Sequence, residues 1–107
     1  MFKRGDPTGY KEPKEKIRMK TLVYGERMLL TEFKLEKGAI LPKHSHPHEQ
    51  IGYLVSGRID LTVGNVTYQV LPGDSWCIPR NVYHHAHAHE NSLAIEVFSP
   101  VREDYIP

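Results

Sequence analysis

A chain of 107 residues is long enough for one packed domain and too short for two. Its 14 Lys plus Arg stand against 13 Asp plus Glu, a formal net charge of +1, so there is no positive excess to hold nucleic acid or an anionic membrane. The single cysteine, Cys77, excludes an intramolecular disulfide, no apolar run approaches the roughly 20 residues of a spanning helix, and the basic stretch from Met1 to Lys20 has no secretory core, so the chain reads as cytoplasmic.

Residues 1–20, with Gly5, Pro7, Gly9, Pro13 and many lysines, read as an arm or loosely held edge, and residues 21–107 as the folded domain. Met28 to Leu35 is apolar and β-branched enough for a strand, closed by Glu36-Lys37-Gly38. Ile51 to Val55 forms another and leads to Ser56-Gly57. Ile59, Leu61 and Val63 alternate with Asp60 and Thr62, the period-2 sign of a half-buried strand. Gly64-Asn65 suits a hairpin turn, since both residues tolerate positive φ, and Val66, Tyr68 and Val70 alternate on the return. Leu71-Pro72-Gly73-Asp74 is a further turn. Trp76 to Ile78, Val82 to His89 and Leu93 to Phe98 supply the last strands, and no 3.6-residue periodicity stands out between Thr21 and Pro100. Many short strands in one small domain predict an all-β antiparallel sandwich or barrel.

The chemistry gathers in His44-Ser45-His46-Pro47-His48-Glu49-Gln50 and in His84. On an extended strand the even spacing of His44, His46 and Gln50 puts them on one face. Imidazole nitrogens and an amide oxygen converging on one point suit a divalent transition metal, with Zn, Ni, Fe, Mn and Cu all compatible. Gln50 either ligates or orients a metal-bound water. His48 shares the parity and rivals the others, but Pro47 disturbs regular strand geometry beside it. In His84-His85-Ala86-His87-Ala88-His89, His84 and the alanines share one face, while His85, His87 and His89 share the other. The apolar Leu93, Ile95 and Val97 share one face of the final strand, which calls for burial, and Ala94, Glu96 and Phe98 share the other, which would place Glu96 and Phe98 in the barrel mouth. Trp76 reads as core or pocket wall, and Cys77 as a small buried hydrophobe.

These motifs resemble those of the cupin superfamily. Its first motif runs glycine, five residues, His-x-His, three or four residues, an acid, six residues, glycine. Here Gly38, His44-Ser45-His46, Gln50 and Gly57 fit every spacing, with Gln50 replacing the acid. In the second motif Gly73, Pro79 and His84 fit, while Asn81 stands for a glycine and Ala88 for an asparagine. The resemblance implies a double-stranded β-helix (jelly roll) with His44, His46, Gln50 and His84 around one divalent metal ion. It also implies a homodimer, with residues 1–20 as an arm that exchanges between copies.

The tail from Glu96 to Tyr105 is similar to that of small single-domain cupins of the pectin-degradation type, which open or linearise unsaturated uronate sugars. That resemblance implies Glu96, Phe98 and Arg102 as catalytic residues and a small anionic substrate, with Glu96 replacing the family's aspartate. Within the same fold, an iron or copper dioxygenase and a non-catalytic small-molecule-binding module remain alternatives.

Overall fold

The chain forms ten strands: β1 Lys11–Lys14, β2 Ile17–Tyr24, β3 Leu29–Leu35, β4 Ile40–His44, β5 Glu49–Ser56, β6 Ile59–Val63, β7 Val66–Val70, β8 Ser75–Ile78, β9 His84–Ala88 and β10 Ser92–Ser99. The computed structural model describes residues 1–107, and its one helical element is a short 3-10 turn at Glu103–Tyr105. No helix is long and apolar enough to cross a membrane.

The strands build two antiparallel sheets, ordered β1-β2-β3-β10-β5-β8 and β4-β9-β6-β7. Their facing sides enclose one apolar core, to which β3 gives Leu29, Phe33 and Leu35, β6 gives Ile59 and Leu61, and β9 gives Ala86 and Ala88. Strict alternation explains this selection, because every second residue of β3, β9 and β10 is buried. This is the predicted jelly roll.

Several local expectations hold in detail. Val63 pairs with Val66 across the Gly64-Asn65 turn. Only Gly64 has positive φ (60°), so the turn needs it at the first central residue alone, as type II′ does. Asn81 sits at φ 64°, the left-handed conformation its motif position requires, and its N–H donates to the His46 carbonyl at 2.9 Å. That bond ties the second motif to the first.

Other expectations are corrected. The sheet begins before Thr21: Ile17 and Met19 on β2 are 1% and 5% exposed, and their alternation with Arg18 and Lys20 is hidden by the basic composition around them. The preceding segment is tied to the sheet by Tyr10, whose hydroxyl donates to Glu32 on β3 and whose ring lies 4.4 Å from the Lys34 ammonium. On β10 the buried face is Ser92, Ala94, Glu96 and Phe98, whereas Leu93, Ile95 and Val97 are only half-buried on the outer surface. Cys77 is exposed, because Trp76 and Ile78 take the inward positions of β8.

Candidate metal centre

His44 closes β4 and pairs directly with His84, the first residue of β9. The two imidazoles lie 4.1 Å apart between ring centroids. The chain then leaves the four-stranded sheet through residues 45–48 and enters the six-stranded one, where Gln50 stands on β5 opposite Phe98 of β10. His44, His46 and Gln50 therefore do not share one strand face, as their even spacing suggested. They converge because a bend carries the chain from one sheet to the other. The His46 ring, held in that bend, lies 5.0 Å from His84 and 5.7 Å from His44.

The ligating atoms of His44, His46 and His84 lie within 4.8 Å of one another, a group that could hold a metal ion. Each ring is oriented by a backbone carbonyl two residues away. Nδ1 of His44 faces the Pro42 carbonyl at 2.8 Å, Nδ1 of His46 that of His48 at 2.9 Å, and Nδ1 of His84 that of Val82 at 3.0 Å. A carbonyl only accepts, so these contacts assign the proton to Nδ1 and leave the Nε2 lone pairs free.

Two observations test whether a cation fits there. Nε2 of His84 is buried without any hydrogen-bond partner. Nε2 of His46 lies 3.0 Å from Oε1 of Gln50, whose amide nitrogen is turned away to donate to Glu96. With His46 neutral, two lone pairs face each other at that contact, which a bound cation would reconcile. The residues fit a divalent metal. Burial disfavours protonation of His84 and His46: it pushes the His84 pKa down to about 4, and together with the Arg102 charge it lowers that of His46.

Behind Gln50 lies a buried carboxylate. Glu96 is 9% exposed, and its Oε1 accepts from both the Gln50 amide and the Trp76 indole N–H, the latter at 3.1 Å. Its Oε2 accepts no hydrogen bond from the protein. Burial raises the Glu96 pKa, with Gln50, Trp76 and Arg102 pulling the other way. Trp76 reaches Glu96 because Gly52 lies between them in the sheet, paired with both, and an added Cβ there would overlap the indole.

Arg102 caps the site from the C-terminal tail. Its Nε and Nη2 donate to the two carboxylate oxygens of Asp104 at 3.2 and 2.8 Å, and its guanidinium lies 3.9 Å from the Tyr105 ring centroid and 5.0 Å from that of Phe98. Nη1 has no protein acceptor. Phe98, 1% exposed, also lies 5.7 Å from the His46 ring, so Glu96, Phe98 and Arg102 are brought beside the histidines. A cavity of about 60 Å³ is bounded by His44, Gln50, His84, Trp76, Glu96 and Arg102 together with apolar core residues.

His48 stands outside the histidine group, 5.6 Å from His46 between ring centroids, and its carbonyl orients that ring. His85 and His87 point outward and are exposed. Trp76, read as core or pocket wall, does line the cavity and also bonds Glu96, whereas Gly52 and Asp104 are residues that sequence reasoning did not connect to the site; only the strand register and the tail's fold bring them there.

The comparisons with known proteins agree with this geometry. The family model described as Cupin domain matches residues 31–99. The pectin degradation protein KdgF of Dickeya dadantii (strain 3937) is 27% identical over 103 residues, covering 94% of each chain. Among solved structures, KdgF from Halomonas sp. superposes with a TM-score of 0.93 at 29% identity, covering 99% of this chain and 98% of that one. An RmlC-like cupin from Shewanella frigidimarina NCIMB 400 gives 0.92 at 28% identity, covering 98% and 95%. With the jelly roll, both histidine motifs and a family match over well more than half its length, the chain belongs to the cupin family.

Proposed function

We propose that this cupin is a metal-dependent enzyme that opens or linearises a small unsaturated sugar acid. The observation that carries the reading is the direct bond between Gln50, beside the histidine group, and the buried carboxylate of Glu96. It supports a proton-transferring role for that carboxylate beside the histidine group. The near full-length likeness to proteins named for pectin degradation supports the uronate class.

His44, His46 and His84 would hold the ion through Nε2, with Gln50 Oε1 as the fourth donor. When bound, a divalent transition metal supplies Lewis acidity toward a substrate carbonyl or hydroxyl, or toward water. An amide in place of a carboxylate leaves the site one unit more positive, which favours an anionic substrate. Glu96 holds or moves a proton through Oε2, the oxygen without a protein partner, while its burial keeps that proton available nearer neutral pH. Nη1 of Arg102 faces no protein acceptor and is suited to the substrate carboxylate. Phe98 walls the site and supports the guanidinium. The enzyme acts as a cytoplasmic homodimer in this reading, consistent with its single free cysteine.

The test is Glu96→Ala beside wild type, both loaded with a transition metal and supplied with an unsaturated uronate, with the product followed by NMR. Turnover should vanish in the variant while metal content stays near wild type. Equal turnover would remove Glu96 from the mechanism. Binding by wild type without turnover would make the chain a binding module, and oxygen uptake would make it an oxygenase.

A further inference from the structure

Strand β9 has a second histidine face. His84, Ala86 and Ala88 point into the barrel, while His85 and His87 point outward, followed by half-buried His89. None of the outward three belongs to the metal centre inside. The outer face of the neighbouring strand β6 carries Asp60, paired in register with His87, and Thr62, paired with His85.

His89 lies one residue past the end of β9 and two residues from His87, a separation of at most about 7 Å that two imidazoles can bridge through one ion. Two nitrogens bound to a tetrahedral ion at about 2.0–2.1 Å lie roughly 3–4 Å from each other. The rings of exposed His87 and half-buried His89 already approach to 4.5 Å between centroids, so modest rotation of the His87 side chain brings their nitrogens to that separation. Asp60 adds the anionic component. Its Oδ2 lies 2.7 Å from Nε2 of His89, the placement of a carboxylate that either orients a ligating imidazole or ligates beside it.

We infer that His87 and His89, with Asp60 across the strand pair, form a second divalent transition-metal site on the outside of the barrel. One strand then serves two metals, one on each face. The outer ligands are imidazole and carboxylate, which suit Zn²⁺, Ni²⁺ or Cu²⁺ and not the hard cations Mg²⁺ or Ca²⁺. The outer site is open to solvent and exchanges its ion more readily than the enclosed one. It depends on none of the residues assigned to the reaction.

The test is equilibrium dialysis of the untagged full chain against Zn²⁺, with bound metal counted by elemental analysis. Wild type should hold two ions per chain. His84→Ala should hold one, and the double variant His87→Ala/His89→Ala should hold one, the ions retained being different. Asp60→Asn should weaken the outer ion by about tenfold or more without altering the inner one. An equal ion count in wild type and the double variant, or loss of every ion with His84→Ala, would overturn the assignment. Outer binding seen only at millimolar Zn²⁺ would reduce it to adventitious binding and overturn it equally. The uronate reaction could fail or succeed without changing these counts, and an empty inner site would still leave the outer ion as the one lost only with His87→Ala/His89→Ala.

Discussion

Gln50 joins two tasks that a carboxylate could not combine. Its oxygen faces His46, while its nitrogen donates to Glu96. A glutamate there would set two buried carboxylates against each other, and the pair would have to share a proton. Gln50→Glu should therefore retain the metal but lower kcat/KM by about 10²-fold, and move the basic requirement for turnover to higher pH. Elemental analysis and a pH–rate profile check both parts. Acid should act on the metal-free protein through the same cluster. An unfolded histidine takes up its proton near pH 6.5, while folded His84 does so only at about 4. With the folded value depressed, the contribution of His84 to stability is complete above 6.5 and is lost as pH falls toward about 4. Glu96 works in the opposite sense: its raised value gives a contribution that is full in acid and is lost as pH rises. The urea midpoint of chelated wild type, compared with that of His84→Ala, should accordingly fall more steeply between pH 7 and 5. At this scale the three histidines were legible from spacing and motif. The partner of Gln50 was not, because Glu96 lies 46 residues away and only β5–β10 pairing joins them.

Strand register decides what the site contains. Thr31, Glu96, Gly52 and Trp76 form one row across β3, β10, β5 and β8. The row works because its third member has no side chain. Gly52→Ala should push the indole off Gly52, break its bond to Glu96 and cost about 1–3 kcal/mol by overpacking. A lowered melting temperature together with reduced turnover at unchanged metal content would be the expected result; wild-type stability and rate would show that the row can accommodate a methyl group. Such a row is invisible in a linear reading, since a glycine within a strand carries no sign of the aromatic that covers it. The misjudged face of β10 has a related cause. Leu93, Ile95 and Val97 are more apolar than Ala94, Glu96 and Phe98, yet the opposite sheet packs on the latter. Burial is settled by what lies over a face, and a carboxylate turned inward is offset by its hydrogen bonds.

For the molecule as a whole, alternation and turn residues made the all-β architecture readable, and the two motifs identified the jelly roll. What composition obscured was the start of the sheet, where lysines mask the inward positions Ile17 and Met19. The expected homodimer has a surface that suits it. On the outer side of the larger sheet, Ile51, Tyr53 and Val55 of β5 are exposed beside half-buried Leu93, Ile95 and Val97 of β10. Sedimentation should give twice the 12.3 kDa chain mass, and Tyr53→Glu should shift the protein to the monomer. A monomeric wild type would end the dimer proposal and leave this face free.

Trp76 is the only tryptophan in the chain, and its indole nitrogen is bonded to Glu96. The protein thus carries its own optical reporter. Because indole emission responds to the charge and hydration of its nearest neighbour, the intrinsic fluorescence should change when that carboxyl gains or loses its proton, or when a small molecule displaces water from the cavity. Occupancy of the cavity could then be followed on an unlabelled chain and in real time.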